Sequence, residues 1–288
     1  MNFSVSPVLN RTADIFLNSH IWLGCCAVAC TAGTYLLLHQ DIQLIYICFV
    51  FFGTVTIYNL HTYFGQILKT KGKNPVLDFQ HLPLYLRIIL PVGGIMTLLF
   101  YFFLTLQNKI LILLPGTAAI LYVLPFLHGK RLRDFPFLKI FLIIIAWTTV
   151  TYGAPLLRMY HWWSHSESFY FLAERLFFFF ALALPFDIRD IESDHTLKLK
   201  TIPNSLGILN SQLLSLSAII FAVSLLIIPL HSQSNSALPA ALVLVYIFLG
   251  FLILKVNKKQ NHLFYIFILD GIIFLYGMSL IVTSLFLQ

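Results

Sequence analysis

Long apolar runs separated by short polar breaks fill the chain, near residues 21–38, 42–64, 83–106, 110–127, 137–157, 170–187, 207–230, 237–256 and 263–285. Each run approaches the roughly 20 apolar residues that carry a helix across a bilayer, so the pattern predicts nine helices. None of the runs alternates apolar with polar positions, which excludes a β-barrel. The fold class read from this pattern is an all-α polytopic membrane protein, with residues 1–288 forming a single nine-helix transmembrane domain. Within residues 1–20, Phe3, Val8, Leu9, Ile15 and Phe16 among polar neighbours predict a short amphipathic helix lying on the membrane.

Composition agrees with this reading. The 288 residues are 59% hydrophobic and only 10% charged, with a mean hydropathy of +0.87, which leaves no separate soluble domain. A net charge of +7 would suggest nucleic acid in a soluble protein, but here the bases mark topology. They gather after the second run (Lys69, Lys71, Lys73), the fourth (Lys130, Arg131, Arg133), the sixth (Arg189, Lys198, Lys200) and the eighth (Lys255, Lys258, Lys259). The other side keeps Lys109, Arg158 and Arg175. The positive-inside rule therefore puts the N-terminus and the even-numbered loops in the cytoplasm and the C-terminus outside, in the inner membrane if the source is bacterial. No nucleic-acid partner is expected. Cys25, Cys26, Cys30 and Cys48 lie inside apolar stretches without paired zinc spacing and read as packing residues. His161 and His165 share a helical spacing but lack a third ligand, so an outer loop with Trp162 and Trp163 is the plainer reading.

Acidic residues number only 11, and four fall within eight positions: Asp187, Asp190, Glu192 and Asp194. If the sixth helix continues through them, Asp187, Asp190 and Asp194 lie within about 60° of one another, while Glu192 points elsewhere. Three carboxylates on one face repel one another and are costly to desolvate, so a hard cation or a cationic partner is the natural compensation. Oxygen-only ligands favour magnesium or calcium over zinc, and magnesium takes part of its shell from phosphates. Arg189, Lys198 and Lys200 would add positive charge for such a phosphate. The plainer alternative is a solvated loop whose acids pair with its own bases.

The segment Asp187-x-x-Asp190-x-x-x-Asp194, followed by Lys200-Thr201-Ile202-Pro203, resembles the second aspartate-rich motif of the UbiA superfamily of intramembrane prenyltransferases. The stretch from Leu121-Tyr122-Val123-Leu124-Pro125-Phe126 through Lys130-Arg131-Leu132-Arg133-Asp134 is similar to that family's loop after the fourth helix. The resemblance implies nine helices around a central cavity capped by the loops after the second and sixth helices. It further implies an isoprenoid diphosphate donor bound through Mg, and transfer of the prenyl group to a hydrophobic or aromatic acceptor within the membrane lipid. The metal ligands it implies are Asp187, Asp190 and Asp194. The family's first motif should align with Tyr58 to Ile67, where Asn59 matches but Leu60, Tyr63 and Ile67 stand in place of the three aspartates. In the second motif Lys198 replaces the usual glycine. Asn59, His61, Arg189 and Lys200 are then the candidate catalytic groups, and Lys69, Lys130, Arg131, Arg133, Lys198 and Asp270 the candidate substrate-binding ones. Binding of a lipid or lipid phosphate without turnover, or transport, is the competing class.

Asp270 enters separately, as an acid inside the ninth run where intramembrane acids mark functional positions. Arg87 and Lys139, near the starts of the third and fifth runs, read as snorkelling anchors.

Overall fold

The computed structural model describes residues 14–69, 82–124, 131–196, 199–230, 237–257 and 260–286, apart from the side chains of 66–69 and 228–230. Among the described residues there is helix and no strand. The long helices are α1 (Ile21–Leu37), α2 (Leu44–Lys69), α3 (Leu84–Phe103), α4 (Leu106–Val123), α5 (Leu138–Leu157), α6 (Ser166–Arg189), α7 (Ile208–Leu230), α8 (Ala237–Lys255) and α9 (Phe264–Phe286). Eight are long and apolar enough to cross a membrane. The exception is α1, with 17 residues, which places it at the lower limit of a spanning helix, so the expected count of nine spans is approximate. Of the amphipathic segment expected within residues 1–20, residues 14–18 are helical and residues 1–13 lie outside the described residues.

Burial sorts the helices into centre and rim. In α1, Leu23, Cys26, Ala27, Cys30, Thr34 and Tyr35 are all buried, and in α6 buried positions recur from Ser168 to Ile188. By contrast α3 buries only Leu86, Leu90 and Gly93 and exposes Leu84, Ile88, Ile95, Leu98 and Phe102. An apolar surface of that extent is stable against lipid and not against water.

The closest approach joins α1 to α9. A Cβ on Gly33 would fall 2.6 Å from the Gly277 carbonyl oxygen, and one on Gly277 would overlap the backbone of Ala29 and Cys30. Lipid tails give little hydrophobic drive for helix association, so such small-residue contacts hold membrane helices together by close backbone packing.

Two helices contain a π-helical turn, Thr149–Gly153 in α5 and Phe264–Leu269 in α9. These turns alter the regular backbone bonding, and in each an aromatic side chain from another helix donates to a carbonyl. Tyr46 of α2 donates to the Val150 carbonyl at 2.8 Å, and Trp22 of α1 donates to the Phe267 carbonyl at 3.2 Å.

Arg175, expected on the outer side, is instead buried at 1% exposure in the middle of α6, next to the fully buried Glu174. The Glu174 carboxylate accepts from Tyr276 at 2.9 and 3.0 Å and from Tyr246. The Arg175 guanidinium donates to Cys30, Thr34 and Thr151 and lies 4.5 Å over the Tyr276 ring. Its charge faces inward because α1, α5 and α9 supply acceptors and a ring face there, while lipid supplies none.

Substituting Gly277→Ala forces the α1–α9 backbones apart and lowers stability by about 1–3 kcal/mol, read as a drop in detergent-solubilised Tm. Gly94→Ala, where a Cβ meets nothing within 4 Å, leaves Tm unchanged.

Candidate active site

The polar ends of α2, α4, α5, α6 and α9 meet at one face of the bundle. Although α6 ends at Arg189, a short helix over Ile191–Thr196 follows almost in line. The Asp190 amide donates to the Phe186 carbonyl at 3.1 Å, and the Asp194 amide to the Asp190 carbonyl at 2.8 Å. Asp187, Asp190 and Asp194 therefore share one face, as their spacing predicted.

The group at their focus is Lys139, in the first turn of α5. Its Nζ lies 2.7 Å from Asp187 Oδ1, 3.4 Å from Asp190 Oδ2 and 3.2 Å from Asp194 Oδ2. Lys139 is 5% exposed, so it is not the snorkelling anchor expected of it. The reason is local: the Phe137 amide donates to the Lys200 carbonyl at 3.0 Å, tying the start of α5 to the segment after the aspartates. That bond turns the next helical positions toward α6. A single lysine in an otherwise apolar run was the available sequence signal.

Arg133 reaches the cluster from the turn Leu132–Asp134. Arg131 fixes that turn by bonding Asp134 through its backbone amide at 2.9 Å and its guanidinium at 3.0 Å. The predicted substrate contact Arg131 is thus committed to its own turn. Arg133 Nη2 lies 3.6 Å from Asp194 Oδ1, its Nη1 bonds His61 Nε2, and the guanidinium sits 5.5 Å over the Tyr122 ring. A guanidinium only donates, so His61 Nε2 is the acceptor and the imidazole is neutral with its proton on Nδ1. Tyr122 belongs to the site and was not singled out from sequence.

The remaining predicted residues divide. Arg189 is exposed, bonds Asp190 at 2.8 Å and lies over the Phe186 and Tyr265 rings. Asn59 is buried with its amide donating to the Ser19 and Val55 carbonyls, both at 2.7 Å. It pins the α1 entry to α2 and turns away from His61, as two positions apart on a continuous helix requires. Lys200 contributes its carbonyl and is itself exposed. Asp270 is buried at the first turn after the π-helical segment of α9, in electrostatic reach of Arg189 but apart from the three aspartates. The Lys69 side chain, Lys130 and Lys198 lie outside the described residues. Leu60 and Tyr63, aligned with missing aspartates, pack with Leu82, Leu86 and Leu90 of the α3 entry.

Behind the cluster runs an aromatic wall. Trp147 donates to the Tyr58 hydroxyl at 3.0 Å and lies 5.3 Å from the Phe179 ring. Phe179, Phe178 and Tyr276 continue it at centroid spacings of 5.1 and 4.5 Å, ending at the Glu174–Arg175 pair. A separate cavity of about 340 Å³, lined by Gln43, Leu44, Tyr46, Phe103 and Leu104, sits at the opposite end of α2 and shares no residue with the cluster.

The electrostatics close on themselves. Burial works to raise the Asp190 carboxyl, but Arg189, Lys139 and Arg133 outweigh it and hold it well below the usual carboxylate range. Three carboxylates face three permanent cations, Lys139, Arg133 and Arg189, and the cluster is neutral. The magnesium ion implied by the resemblance would have to share this arrangement. Its donors would be the same aspartate oxygens, which already hold the Lys139 ammonium. A divalent ion about 4 Å from that ammonium would meet about 8 kcal/mol of repulsion at an effective dielectric of 20. As arranged, the residues do not fit the metal, and among the described residues no group of three or more His, Cys, Asp or Glu side chains is placed to hold one.

His20, beside the site, contacts Thr62 at 3.2 Å and the Tyr58 ring. Burial, with His262 and Arg189 nearby, pushes its imidazole down to about 4. The folded protein therefore refuses a proton that the unfolded chain accepts below pH 6.5, so stability falls as pH drops from 6.5 toward 4. The loss from this group reaches about 2 kcal/mol at pH 5. His20→Asn, which keeps a residue tolerant of the positive φ of 58° at this position, should shrink the difference in Tm between pH 7.5 and pH 5.

No family model matches the chain, and no curated protein matches it in sequence. Solved structures do match in three dimensions. A UbiA homologue from Archaeoglobus fulgidus bound to GPP and Mg²⁺ superposes with a TM-score of 0.65 at 11% identity, covering 93% of this chain and 99% of its own. A UbiA homologue from Aeropyrum pernix K1 gives 0.59 at 15% identity, with coverages of 93% and 98%. A structure of digeranylgeranylglyceryl phosphate synthase gives 0.59 at 14% identity, with coverages of 96% and 99%. Over nearly its whole length, this chain has the fold of the UbiA homologues.

Proposed function

We propose that the protein is an intramembrane prenyltransferase-type protein that takes an isoprenoid diphosphate at the aspartate end of the bundle. The observation that carries this reading is the meeting of Arg133, His61, Tyr122 and the three aspartates at one end of an aromatic wall. Support comes from the structural neighbours, two of which, from A. fulgidus, were solved with GPP or DMAPP and Mg²⁺.

In this reading the anionic head of the donor lies against Arg133 and the neutral His61, which becomes a donor through Nδ1–H. Lys200 adds positive charge, Lys69, Lys130 and Lys198 are further bases that the sequence offers to such a head, Arg131 holds the turn that presents Arg133, and buried Asp270 is assigned to the acceptor. The bond between the allylic carbon and the diphosphate oxygen breaks, and its electron pair leaves with the diphosphate. Tyr58, Trp147 and Phe179 offer ring faces to the allylic cation. A hydrophobic or aromatic acceptor then attacks that carbon and gives up a proton. The distribution of Lys and Arg supports a cytoplasmic position for this face and an outside C-terminus. No step here runs through magnesium, because the carboxylates that would ligate it are engaged by Lys139.

A second reading, binding without turnover, is favoured by one observation: the positions aligned with the first aspartate-rich motif hold Leu60 and Tyr63 in an apolar contact with α3.

Purified protein in detergent should bind geranyl diphosphate, and Arg133→Met should weaken that binding at least ~30-fold. Wild-type binding that is absent, or untouched in Arg133→Met, overturns the donor site. Release of inorganic diphosphate on adding an aromatic acceptor separates transfer from binding alone.

A further inference from the structure

A cluster of three carboxylates, Asp187 and Asp194 buried and Asp190 half-buried, requires positive charge, and the chain supplies it. Lys139 Nζ is within 3.4 Å of all three carboxylates, and Lys139 and Asp194 are 5% and 0% exposed. An ammonium has three hydrogens to donate, and here one carboxylate stands near for each. This placement is where a divalent ion ligated by Asp187, Asp190 and Asp194 would have to sit. Arg133 and Arg189 hold the outer flanks of the same carboxylates.

We infer that Lys139 replaces the divalent cation of this site, so that the aspartate cluster is held neutral by the chain itself and the site takes its diphosphate ligand without a metal. Without a cation the three carboxylates would carry three negative charges and repel a diphosphate. Bound divalent metal is one way to offset that charge, and here three side-chain cations cancel it one for one. The consequence is a site whose ligand affinity is indifferent to chelators. The metal-binding capacity is latent: deleting the ammonium leaves three oxygen donors around one point, the hard-ligand set that suits Mg²⁺ or Mn²⁺.

The inference rests on the proposed function for its ligand, and the test keeps the two apart. Geranyl diphosphate binding is measured in EDTA and in Mg²⁺ for wild type and Lys139→Met, and Mn²⁺ binding is followed by electron paramagnetic resonance on the same proteins without ligand. Wild type should bind the diphosphate equally in EDTA and Mg²⁺ and leave Mn²⁺ free. Lys139→Met should lose at least ~30-fold in EDTA, recover in Mg²⁺, and bind Mn²⁺ at one site. Wild-type binding that needs Mg²⁺, or a Mn²⁺ site in wild type that Asp187→Asn abolishes, overturns the inference and leaves the proposed function standing. Failure to bind the diphosphate under either condition overturns the proposed function, and the exchange of ammonium for metal then stands or falls on the Mn²⁺ titration. The wild-type measurements decide the matter even if Lys139→Met does not fold.

Discussion

Charge buried within a bilayer-spanning bundle has no water to solvate it, so each charged group must find its counter-charge in the chain itself. Two clusters in this protein obey that constraint at different depths. In mid-bundle, Glu174 and Arg175 of α6 are satisfied by Tyr246 of α8, Tyr276 of α9, Cys30 and Thr34 of α1, and Thr151 of α5. At the aspartate end, Asp187, Asp190 and Asp194 are matched by Lys139, Arg133 and Arg189. Between them these two networks touch α1, α2, α5, α6, α8 and α9. Tyr122 brings α4 to the second network as well, and the helices left out, α3 and α7, carry much of the exposed apolar surface.

The aromatic wall joins the two levels. Tyr276 bonds Glu174 and packs on Phe178, whose neighbour Phe179 packs at a tilt against Trp147, which bonds Tyr58 beside the aspartate end. The wall is a continuous packed column of rings, with Phe178, Phe179 and Tyr276 buried in the core and polar groups fixed at both ends. Glu174 and Arg175 bond to four other helices of the bundle, so they end the wall as a structural pair.

How much was legible in the sequence depended on whether a feature is local. Helix positions were, because apolar runs of nearly 20 residues admit few other folds, and the boundaries fell within a few residues of the runs. The shared face of Asp187, Asp190 and Asp194 was also legible, since helical periodicity alone sets it. What occupies that face was not. Whether Lys139 snorkels or turns inward is decided by a backbone bond between Phe137 and Lys200, residues 63 positions apart. Arg175 failed in the same way: its place in the chain suggested an outer surface, while its acceptors come from α1 and α5. Asn59 matched a motif position yet serves to pin Ser19, a contact visible only once α1 and α2 are packed.

The exchange of carboxylates for apolar groups on α2 and the presence of Lys139 on α5 are two sides of one charge balance. In this chain Leu60 and Tyr63 close an apolar contact with Leu82, Leu86 and Leu90, so the α2 end brings no negative charge to the site. The remaining demand is three charges, all from one helical face, and Lys139, Arg133 and Arg189 meet it one for one. Carboxylates added on α2 would upset that balance, and loss of Lys139 would leave one charge uncompensated in a site with little water. A fold can thus keep its helices at 11–15% identity to its structural neighbours while the residues that balance charge at one end of the bundle are free to change. The constraint preserved through such a change is electroneutrality at the site, and that constraint can be met by more than one set of residues.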